Sequence, residues 1–196
     1  MSAQRKPRIL AFAGSARQES YNKKMVAVAA IAAREAGADV TLIDLRDYPM
    51  PIYDGDFETH EGLPENAKKL KRLLLDHDGL LISCPEYNSS ISPLLKNTID
   101  WVSRPAPDES QPLAPYADKV AVLMSASPGA LGGLRGLVTV RSILGNIKVT
   151  VLPDQFALSK AHEAFDENGK LRDENQEKMV RGLGEKLAGF LAKLVK

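Results

Sequence analysis

Five short, solidly apolar runs, each followed by a stretch with helical character, constrain this chain more than any other feature. The runs cover residues 8–13, 40–45, 79–84, 119–125 and 147–152. Runs without a polar alternation suit strands covered by helices on both faces. Between them the pattern turns helical. Over residues 21–36, Met25, Val28, Ala29 and Ala32 share one stripe, and Gly37 is placed to end the helix. Pro64 suits the first turn of a helix over 64–77, with Leu70, Leu73 and Leu74 buried. Ser92-Pro93 reads as a cap followed by proline at the first helical position, opening a helix to about residue 102. Another helix ends near Leu144, and an amphipathic one closes the chain over 173–196. Residues 48–62 and 104–115 read as loops. Strand-helix alternation predicts an α/β domain spanning 1–196, and right-handed crossovers make its sheet parallel and doubly wound.

Such sheets bind ligands beyond the carboxyl ends of their strands, where strand order reverses. The loops after strands one, three and four are therefore the places to look. The first reads Gly14-Ser15-Ala16-Arg17-Gln18-Glu19-Ser20-Tyr21-Asn22. It leads into a helix N-terminus, where free N–H groups and the helix dipole favour a phosphate. Ser15 and Ser20 add hydroxyls, Asn22 an amide and Arg17 a guanidinium fork. An ordinary polar turn with Ser20 as helix cap is the plainer alternative. There is no G-x-x-x-x-G-K-[ST] and no G-x-G-x-x-G, which argues against a triphosphate loop and a tightly held dinucleotide.

The second loop, Pro85-Glu86-Tyr87-Asn88-Ser89-Ser90-Ile91-Ser92-Pro93, mixes an aromatic ring with amide groups, as a flat heteroaromatic ring with polar edges would require; a surface turn would look the same. The third, from Ser125 through Ser127, Pro128 and Gly129 to Gly133, has glycines that let backbone approach a ligand.

Composition removes other classes. Lys+Arg 26 against Asp+Glu 25 gives a net charge of +1, too little for a general nucleic-acid binder. No stretch approaches the length of a membrane span. The basic start before Ile9 has too short an apolar run for a signal peptide. One cysteine, Cys84, allows no internal disulfide and fits a reducing, cytoplasmic setting. Cys84 reads as a core residue rather than a nucleophile. His60, His77 and His162 are scattered without metal-ligand spacing, so no metal is expected. Asp76, Asp78 and Asp100 read as helix-end or surface charges, residues 166–169 as a plain turn, and Trp101 as a core or interface residue.

Taken together, Ser15-x-Arg17-x-x-Ser20-x-Asn22, Pro85-Glu86-Tyr87-Asn88 and Leu95-Lys96-Asn97-x-x-Asp100-Trp101-x-Ser103-Arg104 resemble the NADPH-dependent FMN reductase family, which includes chromate, quinone and azo-dye reductases. The resemblance runs from strand one to about Leu144. It implies a flavodoxin-like sheet of order 2-1-3-4-5 with FMN at the switch point. Ser15, Arg17, Ser20, Tyr21 and Asn22 would hold the FMN phosphate. Pro85, Glu86, Tyr87, Asn88 and Ser89 would border the flavin ring, largely through backbone, with Ser127 and Gly129 on the third loop. The chain departs from the family pattern at Ser89, often aromatic, and at Ser92-Pro93, often proline-glycine. A homodimer or homotetramer is also implied.

The expected chemistry is hydride transfer from NADPH or NADH to bound FMN and on to a small acceptor such as a quinone, azo compound, flavin or metal oxyanion. No catalytic side chain is required of the protein. The alternatives are a non-catalytic FMN-binding electron carrier or redox sensor, which is usually more acidic, and a phosphoester-binding α/β protein without flavin.

Overall fold

The computed structural model describes residues 5–106, 109 and 111–195. Residues 1–4, three positions of the expected 104–115 loop (Pro107, Asp108 and Ser110) and Lys196 of the expected final helix lie outside that range. In chain order the elements are β1 (Arg8–Ala13), α1 (Tyr21–Glu35), β2 (Asp39–Asp44), α2 (Gly55–Glu61), α3 (Glu65–Leu75), β3 (Gly79–Ser83), β4 (Glu86–Tyr87), β5 (Ser90–Ile91), α4 (Pro93–Val102), β6 (Val120–Ala126), α5 (Leu134–Asn146), β7 (Thr150–Leu158), α6 (Ala161–Ala164) and α7 (Glu174–Ala192).

The main sheet runs β2-β1-β3-β6-β7, with every pair parallel. Counting the long strands alone, this is the expected order 2-1-3-4-5. Alternation along β1 serves both faces. Ile9, Ala11 and Ala13 join a core with α1 and α7, while Leu10 and Phe12 join one with α3, α4 and α5. A strand buried on both sides needs an apolar residue at each position, which is why β1, β3 and β6 read as solid runs. The carboxyl ends of β1, β3 and β6 point one way and meet three loops. Order reverses between β1 and β3 there, which is the switch point of the sheet.

Helix ends follow local chemistry. Ser20 caps α1 by accepting the N–H of Lys23 at 3.4 Å. At its other end Gly37, at φ 94°, donates to Arg34 O while Ala38 donates to Ala33 O, a Schellman arrangement that glycine permits. Ser92 caps α4 with Pro93 in its first turn.

Two elements differ from expectation by more than four residues, while the final helix stops at Ala192, short of the expected 196. Residues 55–61, expected in a loop, form α2, a helix with no buried residue. Asp54 caps it, and the ring of Phe57 meets Trp101 edge-on at 5.9 Å. Trp101 is fully buried, with Nε1 donating to Pro51 O at 2.8 Å. The last strand covers 150–158 rather than 147–152. Its pairing with β6 shifts register after Val151, and Arg141 satisfies the carbonyls of Val151 and Leu152 at the irregularity. No helix among the described residues is long and apolar enough to cross a membrane.

Candidate functional site

The loop after β1 is built for close approach. Gly14 N donates to Ser83 O at 2.9 Å, extending the strand ladder by one rung. Its own carbonyl accepts the Ser92 hydroxyl at 2.6 Å. A β-carbon on Gly14 would sit 2.8 Å from Leu95 Cβ, so only glycine lets α4 pack here. Ser15 is buried, and its hydroxyl accepts the N–H of Arg17 at 3.3 Å. Tyr21, half-buried, stacks on Phe165 with 6° between ring planes.

Arg17 is the exposed cation of the loop, and its guanidinium has no hydrogen bond or ion pair among the described residues. Neighbouring charges are already matched: Glu19 with Lys24 at 3.2 Å, and Lys23 with Asp44 at 2.6 Å. The N–H groups of Tyr21 and Asn22 are in the first helical turn, where a helix offers no acceptor of its own. Free N–H groups, two buried hydroxyls and an unmatched cation thus surround one spot.

A cleft of ≈ 70 Å³ opens there, bounded by all three loops. That is room for a few water-sized groups. Of the expected site residues, Ser15, Arg17, Ser20, Tyr21, Asn22, Pro85, Glu86, Tyr87 and Ser127 line it. Asn88, Ser89 and Gly129 do not. The first two form the tip of a hairpin, with β4 and β5 paired antiparallel and φ values of 51° and 67° at Asn88 and Ser89. Positive φ at both central residues is what a tight two-residue hairpin requires. Gly129 is exposed and donates its N–H to Ser127 Oγ at 3.2 Å. Larger clefts exist, one of ≈ 550 Å³ around Arg5, Arg8 and Arg34 and one of ≈ 420 Å³ between α2, α3 and Pro105, Ala106 and Glu109. They lie away from the strand ends of the switch point, so chemistry rather than size singles out the small cleft.

Two expected site residues point their side chains inward. Glu86 accepts the N–H of Gly136 at 3.0 Å and pairs with Arg135 at 2.6 Å. It thereby caps α5, whose own N-cap, Gly133, carries no side chain. Burial pushes the Glu86 carboxyl up, but the N–H of Gly136 and the Arg135 guanidinium outweigh this and hold it below the ordinary glutamate range. Asn22 hydrogen-bonds Ser83 and the backbone of Ala126. Ser83, Ala126, Arg135 and Gly136 are not legible as site residues in the sequence, because residue type does not reveal where a side chain turns; a serine closing an otherwise apolar strand is the one available signal. Cys84 is fully buried, and burial pushes its thiol well above the ordinary cysteine value, which opposes thiolate chemistry.

Comparison with known proteins bears on this arrangement. The model for the family described as NADPH-dependent FMN reductase matches residues 7–163. An NAD(P)H-dependent FMN reductase of Pseudomonas aeruginosa is 31% identical over 175 residues, 89% of each chain. A quinone reductase of Pseudomonas putida is 33% identical over 165 residues, 83% of each chain. Among solved structures, the flavoenzyme NAD(P)H:(acceptor) oxidoreductase FerB from Paracoccus denitrificans superposes with a TM-score of 0.80 at 24% identity. The alignment covers 95% of this chain and 98% of that one, and it shows the shared fold. With residues of its first two motifs lining the switch-point cleft and the family model spanning most of its length, the chain belongs to the NADPH-dependent FMN reductase family.

Proposed function

We propose that the cleft at the carboxyl ends of β1, β3 and β6 seats FMN, and that the protein uses it to oxidise NAD(P)H and reduce a small quinone-type acceptor. Family membership makes the chain an oxidoreductase of this class. The residues present fit the cofactor. A phosphate monoester needs several donors and a compensating charge. Ser15, Ser20, the Tyr21 and Asn22 N–H groups and Arg17 offer these around one small cleft. Pro85, the backbone of 86–89 and Ser127 would border the ring, with the Tyr87 side chain half-exposed beside it.

When bound, FMN supplies the hydride chemistry. The protein's part is to bind, orient and shield. Arg135 and Gly136 hold the Glu86 carboxylate ionised, so it serves as an anchor and not as a proton donor. Acid–base work is left to solvent at the open mouth. Quinones are the acceptor class favoured by the names of relatives such as the 2-hydroxy-1,4-benzoquinone reductase of a Burkholderia species. The same reading places the enzyme in the cytoplasm, as a homodimer or homotetramer.

The observation that carries the phosphate assignment is the unpaired Arg17 guanidinium beside the first turn of α1. Replacing it tests the assignment. Arg17→Ala should weaken FMN binding by roughly ten- to hundredfold, the value of a charge-assisted contact. Affinity for riboflavin, which lacks the phosphate, should not change. Equal losses for the two flavins, or none, would refute the assignment.

A further inference from the structure

The Asn22 side chain was expected among the phosphate ligands, and its hydrogen bonds point elsewhere. Asn22 lies in the first turn of α1 and is 5% exposed. Its Oδ1 accepts the Ser83 hydroxyl at 2.8 Å and the Ala126 N–H at 3.0 Å. Its Nδ2 donates to Ala126 O at 2.8 Å. The orientation of the amide follows from these partners, because the Ala126 N–H needs an acceptor and its carbonyl needs a donor. An asparagine amide offers two acceptor and two donor places, and three of the four are used.

Both partners stand at strand ends. Ser83 is the last residue of β3 and Ala126 the last of β6. By engaging both backbone groups of Ala126, Asn22 acts as one more strand neighbour would. One residue past Ala126 is Ser127, and three past Ser83 is Glu86, where the hairpin begins. The ring-side loops therefore leave the sheet from two points clamped by one amide on the phosphate-side helix.

Resting on the FMN reading above, we infer that the Asn22 side chain is a positioning residue of the cofactor site: it fixes the β3 and β6 ends relative to α1, and so sets the place of the ring-side loops. The backbone N–H of Asn22 stays available to an anion. The side chain serves the ring half of the site.

The two roles separate on flavins that differ only in the phosphate. Kd values for FMN and riboflavin would be titrated for wild type, Asn22→Ala, Asn22→Leu and Arg17→Ala, each well below its own melting transition. Asn22→Leu keeps the size and adds no charge but loses the hydrogen bonds to Ser83 and Ala126. Both Asn22 variants should raise the two Kd values by the same factor, about tenfold for lost buried hydrogen bonds. The visible absorption maxima of bound flavin should shift as the loops move. A rise for FMN alone, with an unshifted spectrum, would make the side chain a phosphate ligand and overturn the inference. A melting temperature lowered with both Kd values unchanged would reduce Asn22 to a purely structural role and also overturn it. Should Asn22→Ala not fold, Ser83→Ala removes one arm of the clamp and should raise both values equally, by about threefold; a rise for FMN alone counts against the inference there too. Wild type that takes up neither flavin would instead overturn the FMN reading itself.

Discussion

Glu86 and Gly136 are joined by a carboxylate-to-amide hydrogen bond of 3.0 Å, which ties the loop after β3 to the first turn of the helix after β6. The carboxylate satisfies an N–H that α5 cannot satisfy itself and complements the helix dipole. Glu86→Gln should destabilise the fold by about 1–2 kcal/mol at neutral pH. The folded-state value of Glu86 lies below its unfolded value. Its contribution is therefore present above the ordinary glutamate value of about 4.3 and lost as pH falls through the folded one. Urea titrations of both proteins should show a gap at pH 7 that closes as pH falls below the ordinary glutamate value. A gap independent of pH would mean that the charge plays no part.

Gly14 carries the closest contact in the phosphate loop. Gly14→Ala would place a methyl group 2.8 Å from Leu95 Cβ and 3.2 Å from Ser92 Oγ. Neither neighbour can step aside, since Leu95 is fully buried and Ser92 holds the Gly14 carbonyl. A loss of about 1–3 kcal/mol is expected from overpacking, together with weaker FMN binding. Thermal melts and flavin titration check the two effects separately.

Much of this arrangement was legible in the sequence, for reasons that differ by element. The strands β1, β3 and β6 are buried on both faces, and burial leaves an unbroken apolar run. The caps at Ser20 and Ser92 are local chemistry, visible within four residues. By contrast, α2 buries no residue, so its sequence carries no stripe, and its contacts to Trp101 and Arg104 are long-range. The edge strand β7 runs on through Pro153 because Arg141, on a helix, satisfies the broken rung. The polar motif residues announced the site, but not that Glu86 and Asn22 would turn their side chains to backbone.

Lys71 was hidden in the same way, as a charged residue in a helix whose buried face reads as leucine. Its side chain is 5% exposed and pairs with Glu109, which is 6% exposed, while it also donates to the carbonyls of Val102 and Arg104 at the end of α4. Lys71→Met would leave Glu109 buried without its cation. The cost should be about 3–5 kcal/mol. FMN affinity, measured on the folded fraction, should be unchanged, because this cluster lies apart from the cleft.

The hairpin tip offers a change of the opposite sign. Ser89 holds a φ of 67°, which costs a non-glycine residue about 1 kcal/mol, and an Asn-Gly pair is the preferred sequence for such a turn. Ser89→Gly should stabilise the protein by roughly 0.5–1 kcal/mol. Differential melting of the two proteins decides it; a lower midpoint for the glycine variant would show that Ser89 makes a compensating contact.

The most direct test of the central claim is the visible spectrum of the FMN-loaded protein during anaerobic addition of NADPH, followed by a quinone. A flavoprotein reductase gives oxidised-flavin absorbance that bleaches promptly with the nicotinamide and returns when the quinone is added. Bound flavin that stays oxidised with both NADPH and NADH would contradict the assignment of this cleft as a reductase site.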